Sequence, residues 1–482
     1  MRFLPALLVT AALAGCTVGP NFHRPTPPST AVYQPAMEQQ QPVSGQPATS
    51  IGVGPGQHWW VAFGSPELDA LVDRAIAHNY SLAASNATLA AARDEWHAIA
   101  GRRLPQIDAN ARVEQEQVNL SAFGFAPSPA LGLNGNPEFH LYSVGGGISY
   151  DLDLFGGIRR QVEESAARAE AQQRQTEAAH LALAGQVVNQ VLAIAAIRAR
   201  IATAQAILAD DLRNLDLTRK RQQGGEGTLV EVLNAQSQYT ADRGTIPPLE
   251  QQLAEARHLL ATLVGVAPAA LGASDFDLER FALPARVPVI LPSELVHRRP
   301  DILQAEADLH AATAAIGVAT ARLYPDITIG ATLTQGSPGI DNLLKNAFRG
   351  YDVFAGLAAP IFHGGTLKAE RAAAINRAHA ANATYQQTVL SAFEQVANLL
   401  SALQTDAQSL DTQRDAVSVA SRSLLLSRRS FEVGNSGILQ VLDSERLYQR
   451  TSADLVDARA RQYLNVARLY VATAGGWIQT PS

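Results

Sequence analysis

Tyr142-Ser143-Val144-Gly145-Gly146-Gly147-Ile148-Ser149-Tyr150-Asp151-Leu152-Asp153-Leu154-Phe155-Gly156-Gly157 is the stretch whose reading decides the fold. Tyr142, Val144, Ile148, Tyr150 and Leu152 alternate with Ser143, Gly145, Ser149, Asp151 and Asp153, the period of a strand with one apolar and one polar face. A Gly-Gly pair follows, and from Ile158 to Gln222 no proline interrupts the chain. The period then changes. Leu181, Ala184, Val188, Val191 and Ala195 step by three and four, the spacing of a helix that packs in heptads. At ~1.5 Å per residue such a helix reaches ~90 Å, far beyond the needs of a small globular domain.

The same grammar is written twice, as a search for internal repeats shows. Leu104-Pro105-Gln106-Ile107 is matched by Leu323-Tyr324-Pro325-Asp326-Ile327, and Leu154-Phe155-Gly156-Gly157 by Ile361-Phe362-His363-Gly364-Gly365. Val232-Leu233-Asn234-Ala235 is matched by Val441-Leu442-Asp443-Ser444. The first half carries a longer insertion, with loop signals at Phe123-Gly124-Phe125-Ala126-Pro127 and Asn134-Gly135-Asn136-Pro137. Each unit reads as a helix, two strands, a very long helix, a tight turn and another long helix. Ile107, Ala109, Ala111 and Val113 mark the apolar side of one further strand, and Ile327, Ile329, Ala331 and Leu333 that of another. The strand from Tyr351 to Ile361 is weaker, because Phe354 falls on its polar side. The second long helix, from about Thr366 to Phe431, steps through Val389, Phe393, Val396, Leu400 and Leu403. The helix pairs turn at Gly224-Gly225-Glu226-Gly227 and Gly434-Asn435-Ser436-Gly437, residues suited to positive φ at helix ends. No Lys-Ser or Lys-Thr follows these glycines and no strand precedes them, which argues against a phosphate loop.

The boundaries follow: 1–15 a signal peptide, 16–57 a lipidated start and Pro-rich tether, 58–270 a first repeat, 271–291 a linker, 292–475 a second repeat and 476–482 a tail. Arg2 and the apolar run Leu4 to Leu13 suit a signal core too short to span as a helix. Leu13-Ala14-Gly15-Cys16 resembles the bacterial lipobox, which implies S-diacylglycerol and N-palmitoyl groups on Cys16, the only cysteine of the 482 residues. Thr17 after it favours the outer over the inner membrane. Several acyl chains on one residue anchor stably where a single chain does not. The Pro-, Gln-, Ser- and Gly-rich stretch that follows reads as an extended tether.

The formal net charge of -6 argues against a nucleic-acid partner. Although 47% of residues are hydrophobic, no stretch past the signal reads as a membrane-spanning helix. No His-Glu-x-x-His or Gly-x-Ser-x-Gly motif is present, so no catalytic residue, metal site or cofactor is expected.

Strands of about ten residues with one apolar face suit a membrane barrel, and in lipid a sheet must close to leave no unpaired edge. Four strands cannot close. Two copies would give eight strands and a filled interior, whereas three would give twelve and room for a lumen.

Further landmarks carry a resemblance. Cys16-Thr17-Val18-Gly19-Pro20-Asn21-Phe22, then Trp59-Trp60 with Phe63, Pro66, Leu68 and Leu71, then Asn79-Tyr80-Ser81-Leu82, are followed by Arg298-Arg299-Pro300-Asp301-Ile302 with Ala305-Glu306, and by Gly475-Gly476-Trp477. Together they resemble the TolC-like outer-membrane efflux factors, in the lipoprotein branch called the NodT family. In the Arg-Arg-Pro-Asp motif, Pro300 also suits a first helical position and Asp301 the positive end of a helix dipole. The resemblance implies a mainly α fold with membrane β: a homotrimer whose twelve-stranded β-barrel continues into a helical barrel. It implies a duct in the outer-membrane lipids that conducts passively, meeting a periplasmic adaptor (a membrane fusion protein) and an inner-membrane pump of the resistance-nodulation-division class. The adaptor would contact the turns at Gly224, Gly225, Gly227, Gly434, Asn435 and Gly437. The family's gate falls on Leu439 and Asp443, with Gln440 and Glu231 beside it. A ring of Asp443 carboxylates would form a selectivity constriction. The Tyr and Arg latch of some relatives falls on Phe431 and Ser436, so that latch is not expected. A duct for secreted proteins and a non-channel structural lipoprotein are the alternatives, and the repeated strand pairs argue against the latter.

Overall fold

The computed structural model describes residues 17–28, 30, 32–34, 47–119, 122, 138–272, 275–345, 347 and 349–473. The signal peptide, Cys16, both loop signals of the insertion and Gly475-Gly476-Trp477 lie outside the described residues. The chain forms two compact units, and each takes parts of both repeats.

The first unit, residues 1–24, 90–170 and 307–383, is built on an antiparallel sheet. Its strands are β2 (Gln106–Gln117), β3 (Glu138–Asp151), β5 (Asp326–Ser337) and β6 (Arg349–Ala358), in the order β2-β3-β5-β6. The β3–β5 pairing joins one repeat to the other. Register aligns the apolar residues across the whole sheet: Ile107 faces Ile148, Ala331 and Val353, and Ala109 faces Gly146, Leu333 and Tyr351. The opposite face carries the row Asp108, Gly147, Thr332 and Asp352. The apolar side is open: Ile107 is 77% and Tyr351 81% exposed. Phe354 has a reason to break the alternation. Its ring covers Gly330, where an added Cβ would come within 2.6 Å of Cζ. The phenyl thus fills the space left by a glycine in the neighbouring strand.

The stretch read as an extended tether is docked on the folded body where it is described. Arg160, which is 4% exposed, donates from Nε to the carbonyl of Val18 (3.2 Å) and from Nη2 to Asn21 Oδ1 (2.7 Å). Phe22 stacks on His310 at 4.4 Å, and Gly19 sits so close to Gly317 that a Cβ would lie 2.5 Å from its Cα. Composition alone gave these residues no partner. A buried guanidinium that needs acceptors supplies one.

The second unit, residues 25–89, 171–306 and 384–482, holds the helical core. Its own strands β1 (Ala48–Ile51) and β4 (Arg286–Val289) pair in parallel, so the segment read as a linker contains a strand. Tyr33 donates to the carbonyl of Ile290 at 2.9 Å, again fastening the N-terminal stretch. Helices α1 (Pro66–His78) and α2 (Tyr80–Gly101) meet at Asn79, which accepts from Leu82 N (3.0 Å) and donates to Leu263 O (2.8 Å). Trp59 stacks on Tyr470 at 5.5 Å inside this core.

Helix α3 (Gly157–Gln223) starts on Asp153, whose two carboxylate oxygens accept from Ile158 N and Arg159 N at 2.8 and 2.9 Å. An acid at a helix start satisfies orphan donors and suits the dipole. Contrary to the sequence reading, α3 contains a stretch apolar enough to span a membrane. Leu183, Val187, Val188, Val191, Leu192 and Ile194 of α3 are buried in the second unit's core, whereas 28% of the apolar stretch as a whole is buried. The return from α3 is α4 (Leu229–Arg243) followed by α5 (Ile246–Val264). The expected single long helix is broken at Gly244, because Pro247 and Pro248 lack the N–H donors that a continuous helix needs. In the second repeat a short helix, α6 (Pro292–Leu295), and α7 (Pro300–Ala321) precede the sheet, and α8 (Thr366–Glu432) and α9 (Ile438–Thr473) follow it. Helix α9 is unbroken. The Arg-Arg-Pro-Asp motif does more than start α7. Arg299 grips Asp301 with two hydrogen bonds (2.9 and 2.6 Å) and donates to Gln395 Oε1 of α8 and to the carbonyl of Ala472 near the end of α9.

Candidate functional site

The two turns close in the same way. At the first, Glu226 N donates to Arg221 O (2.9 Å) and Gly225 N to Gln222 O (3.1 Å). At the second, Asn435 N donates to Ser430 O (2.8 Å) and Gly434 N to Phe431 O (3.0 Å). Both are Schellman caps, with one left-handed glycine each: Gly225 at φ 81° and Gly434 at φ 76°. The expectation of positive φ is therefore corrected for Gly224, Gly227, Asn435 and Gly437. The Schellman cap needs one such residue, and these four lie outside that position.

After the first turn, Thr228 and Glu231 form a capping box. Thr228 N donates to Glu231 Oε2 at 2.8 Å, and Glu231 N donates to Thr228 Oγ1 at 3.3 Å. The Glu231 carboxylate is thus occupied at its own helix start. No hydrogen bond or ion pair joins it to Asp443 among the described residues. Leu439, Gln440 and Asp443 lie in the first two turns of α9 and are all exposed. Leu439 and Asp443 are four residues apart and so share one helix face. Arg446 approaches Asp443 at 3.6 Å, but both side chains are mostly exposed and such a pair contributes little. Inward, Val441 and Leu442 pack with Leu424, Phe431 and Ile438.

Phe431 is 3% exposed and is held from the other repeat. The Arg221 guanidinium lies 4.4 Å from its ring centroid, and Arg221 Nη1 donates to the Phe431 carbonyl at 2.9 Å. This staple joins the ends of α3 and α8. Its only signal in the sequence is the basic Lys220-Arg221 end of α3.

Above the turns lies a polar cluster that the sequence reading missed. Arg428 Nη2 donates to Asp210 Oδ2 (2.9 Å) and to Glu445 Oε1 (2.8 Å), and Asn214 donates to Glu445 Oε2 (2.5 Å). Burial pushes the Glu445 carboxyl up, while Arg428 and Asn214 hold it partly back. Gln238 and Gln449 both donate to Asp242 Oδ2, at 2.7 and 2.9 Å. These acids are scattered along three helices, and only the fold assembles them.

The chain matches the family described as "Outer membrane efflux protein" over residues 71–266 and 291–475. Pyoverdine export outer membrane protein OpmQ of Pseudomonas aeruginosa is 31% identical over 421 residues, 87% of this chain and 88% of that one. Nodulation protein T of Rhizobium leguminosarum bv. trifolii is 27% identical over 478 residues, covering 96% of this chain and 95% of its own. Among solved structures, the outer-membrane channel OprN superposes with a TM-score of 0.85 at 28% identity, over 96% of this chain and all of that one. The family match, the full-length relatives and the shared TolC-like architecture lead to one conclusion: the chain belongs to the outer membrane efflux protein family and is the outer-membrane component of an efflux system.

Proposed function

We propose that three copies of this chain form a passive exit duct across the outer membrane, gated at the helix turns by Leu439 and Asp443. The observation that carries this reading is the sheet. It has one open apolar face, and its end strands β2 and β6 have no second partner among the described residues. A sheet in lipid cannot keep two unpaired edges. Two copies give eight strands and a filled interior; three give twelve and a lumen. A periplasmic adaptor meets the turns, and an inner-membrane pump of the resistance-nodulation-division class supplies the energy. Cys16 carries N-palmitoyl and S-diacylglycerol groups, which assist sorting before the barrel closes.

Chemical cross-linking of the purified protein tests the assembly. It should stop at trimer, and a monomer in mild detergent would overturn the reading. In planar bilayers the protein should give closed, low-conductance channels. Asp443→Ala, alone or with Leu439→Ala, should raise conductance, and an unchanged conductance would remove the gate assignment. Cys16→Ser should lose acyl labelling yet leave some working channel.

A further inference from the structure

The polar cluster above the turns contains one buried acid to which no N–H or O–H donates among the described residues. Asp211 of α3 is 2% exposed, and with the acid ionised neither of its carboxyl oxygens finds a donor among the described residues. It lies against Asp242 of α4, which is held by two amide donors, Gln238 and Gln449. Those two donors fix Asp242 as a hydrogen-bond acceptor. Asp211 has no such donors. Ionised, it would be a buried charge beside two further acids, Asp242 and Glu445.

The cations nearby are engaged elsewhere. Arg428 of α8 is committed to Asp210 and Glu445. Arg213 pairs with Asp210. Arg446 of α9 donates to Gln238 Oε1 at 2.8 Å and approaches Asp443. A proton resolves the conflict, because a protonated Asp211 becomes a donor and Asp242 becomes its acceptor.

We propose that Asp211 and Asp242 form a proton-binding site that fastens α3, α4 and α9 above the turns, and that loss of this proton loosens the seam bearing Asp443. On release the Asp211 hydroxyl proton passes to a base in solvent, leaving two adjacent carboxylates. The contacts that would separate lead outward in order: Asp242 to Gln238 (2.7 Å), Gln238 to Arg446 (2.8 Å), Arg446 to Asp443 (3.6 Å). The link to conduction rests on the gate reading of Asp443, whereas the proton site does not.

Burial, the hydrogen bond with Asp242 and the charges of Glu445 and Asp242 push the Asp211 carboxyl up to about 8, against the pull of Arg428. The folded state then binds a proton that the unfolded chain has already lost. The stabilisation is full below about pH 4, shrinks as pH rises and is gone above about pH 8. From about pH 7 to about pH 9 the ratio of protonated to ionised Asp211 reverses from roughly 10:1 to roughly 1:10.

Difference infrared spectroscopy of the full-length protein in detergent across this interval reads the site directly. Wild type should lose a protonated-carboxyl band, and Asp211→Asn should show none. Amide exchange in residues 229–243 and 438–449, corrected for its intrinsic pH dependence, should rise roughly tenfold in wild type and stay flat in Asp211→Asn. The amide can still donate to Asp242, so the variant should fold. Should it fail to fold, the wild-type band decides, and Asp242→Asn should remove the exchange step. No band, a band that survives Asp211→Asn, or equal exchange in both proteins would overturn the site. Bilayer conductance should rise over the same interval in wild type alone. A spectroscopic step with flat conductance would overturn the coupling to the gate and leave the proton site standing.

Discussion

Thr228 and Gly437 stand at equivalent places in the two repeats, in step with Val232 and Val441, and the difference between them separates two otherwise matching turns. Both turns end in a Schellman cap with one left-handed glycine. After the first, Thr228 and Glu231 close a capping box, and the helix that follows is short and broken at Gly244. After the second, the positions are Gly437 and Gln440, glycine has no side-chain oxygen to offer, and the following helix runs unbroken for 36 residues. Ser436 lies just before it, with its buried hydroxyl unpartnered among the described residues. The gate candidates Leu439 and Asp443 therefore sit on the helix whose start is less firmly capped. One turn is built to stay and the other is built to give.

The largest test of this contrast is at Phe431, which is shared by both turns. Phe431→Ala should cost about 3 kcal/mol or more by emptying a buried site and freeing Arg221. The melting temperature should fall, and amide exchange should rise at the ends of α3 and α8 together. Phe431→Leu should recover most of the loss. An effect no larger than that of a surface change would remove the staple from the argument.

Gly225→Ala and Gly434→Ala should each cost about 1–2 kcal/mol, since both force a Cβ into the left-handed region. Equal losses would support equivalent caps; a large inequality would show that the turns differ in more than their N-caps. Thr228→Ala should cost about 1 kcal/mol and raise exchange in the first turn of α4 but not of α9. The smallest effect is the most informative. Gly437→Ser with Gln440→Glu transplants the capping box and should stabilise the second turn by about 0.5 kcal/mol. Fewer spontaneous openings in planar bilayers should follow. An unchanged opening rate would mean that the missing cap has no part in gating.

Much of this fold was legible because it rests on period and punctuation. Two-residue alternation located four strands, and heptad stepping located two helices of 67 residues within a residue or two of their ends. Phe354 was visible as an exception, but its reason, Gly330 on the neighbouring strand, needed the register. Other features have no local signature. The parallel pairing of Ala48–Ile51 with Arg286–Val289 joins residues far apart in sequence. The docking of Thr17 to Phe22 depends on Arg160, which reads from sequence as one more charge on a helix. At the site, glycines marked where the turns fall, and the resemblance alone pointed to Leu439 and Asp443. Asp210, Asp211, Asp242 and Glu445 carry no local signal in the sequence, and only the packing of α3, α4 and α9 brings them together.

The open sheet also bears on how fast the chain must be handled before it reaches the membrane. Among the described residues, a lone copy presents β2, of 12 residues, and β6, of 10, as unsatisfied edges beside an apolar face. Such edges pair with any strand they meet. In the proposed trimer, productive closure and wrong pairing both begin as collisions between copies, so raising the number of unassembled chains speeds both. Correct assembly then depends on each copy being shielded until its partners arrive in register. The yield of finished ducts should peak at a moderate rate of synthesis and fall beyond it, with the excess recovered as aggregate.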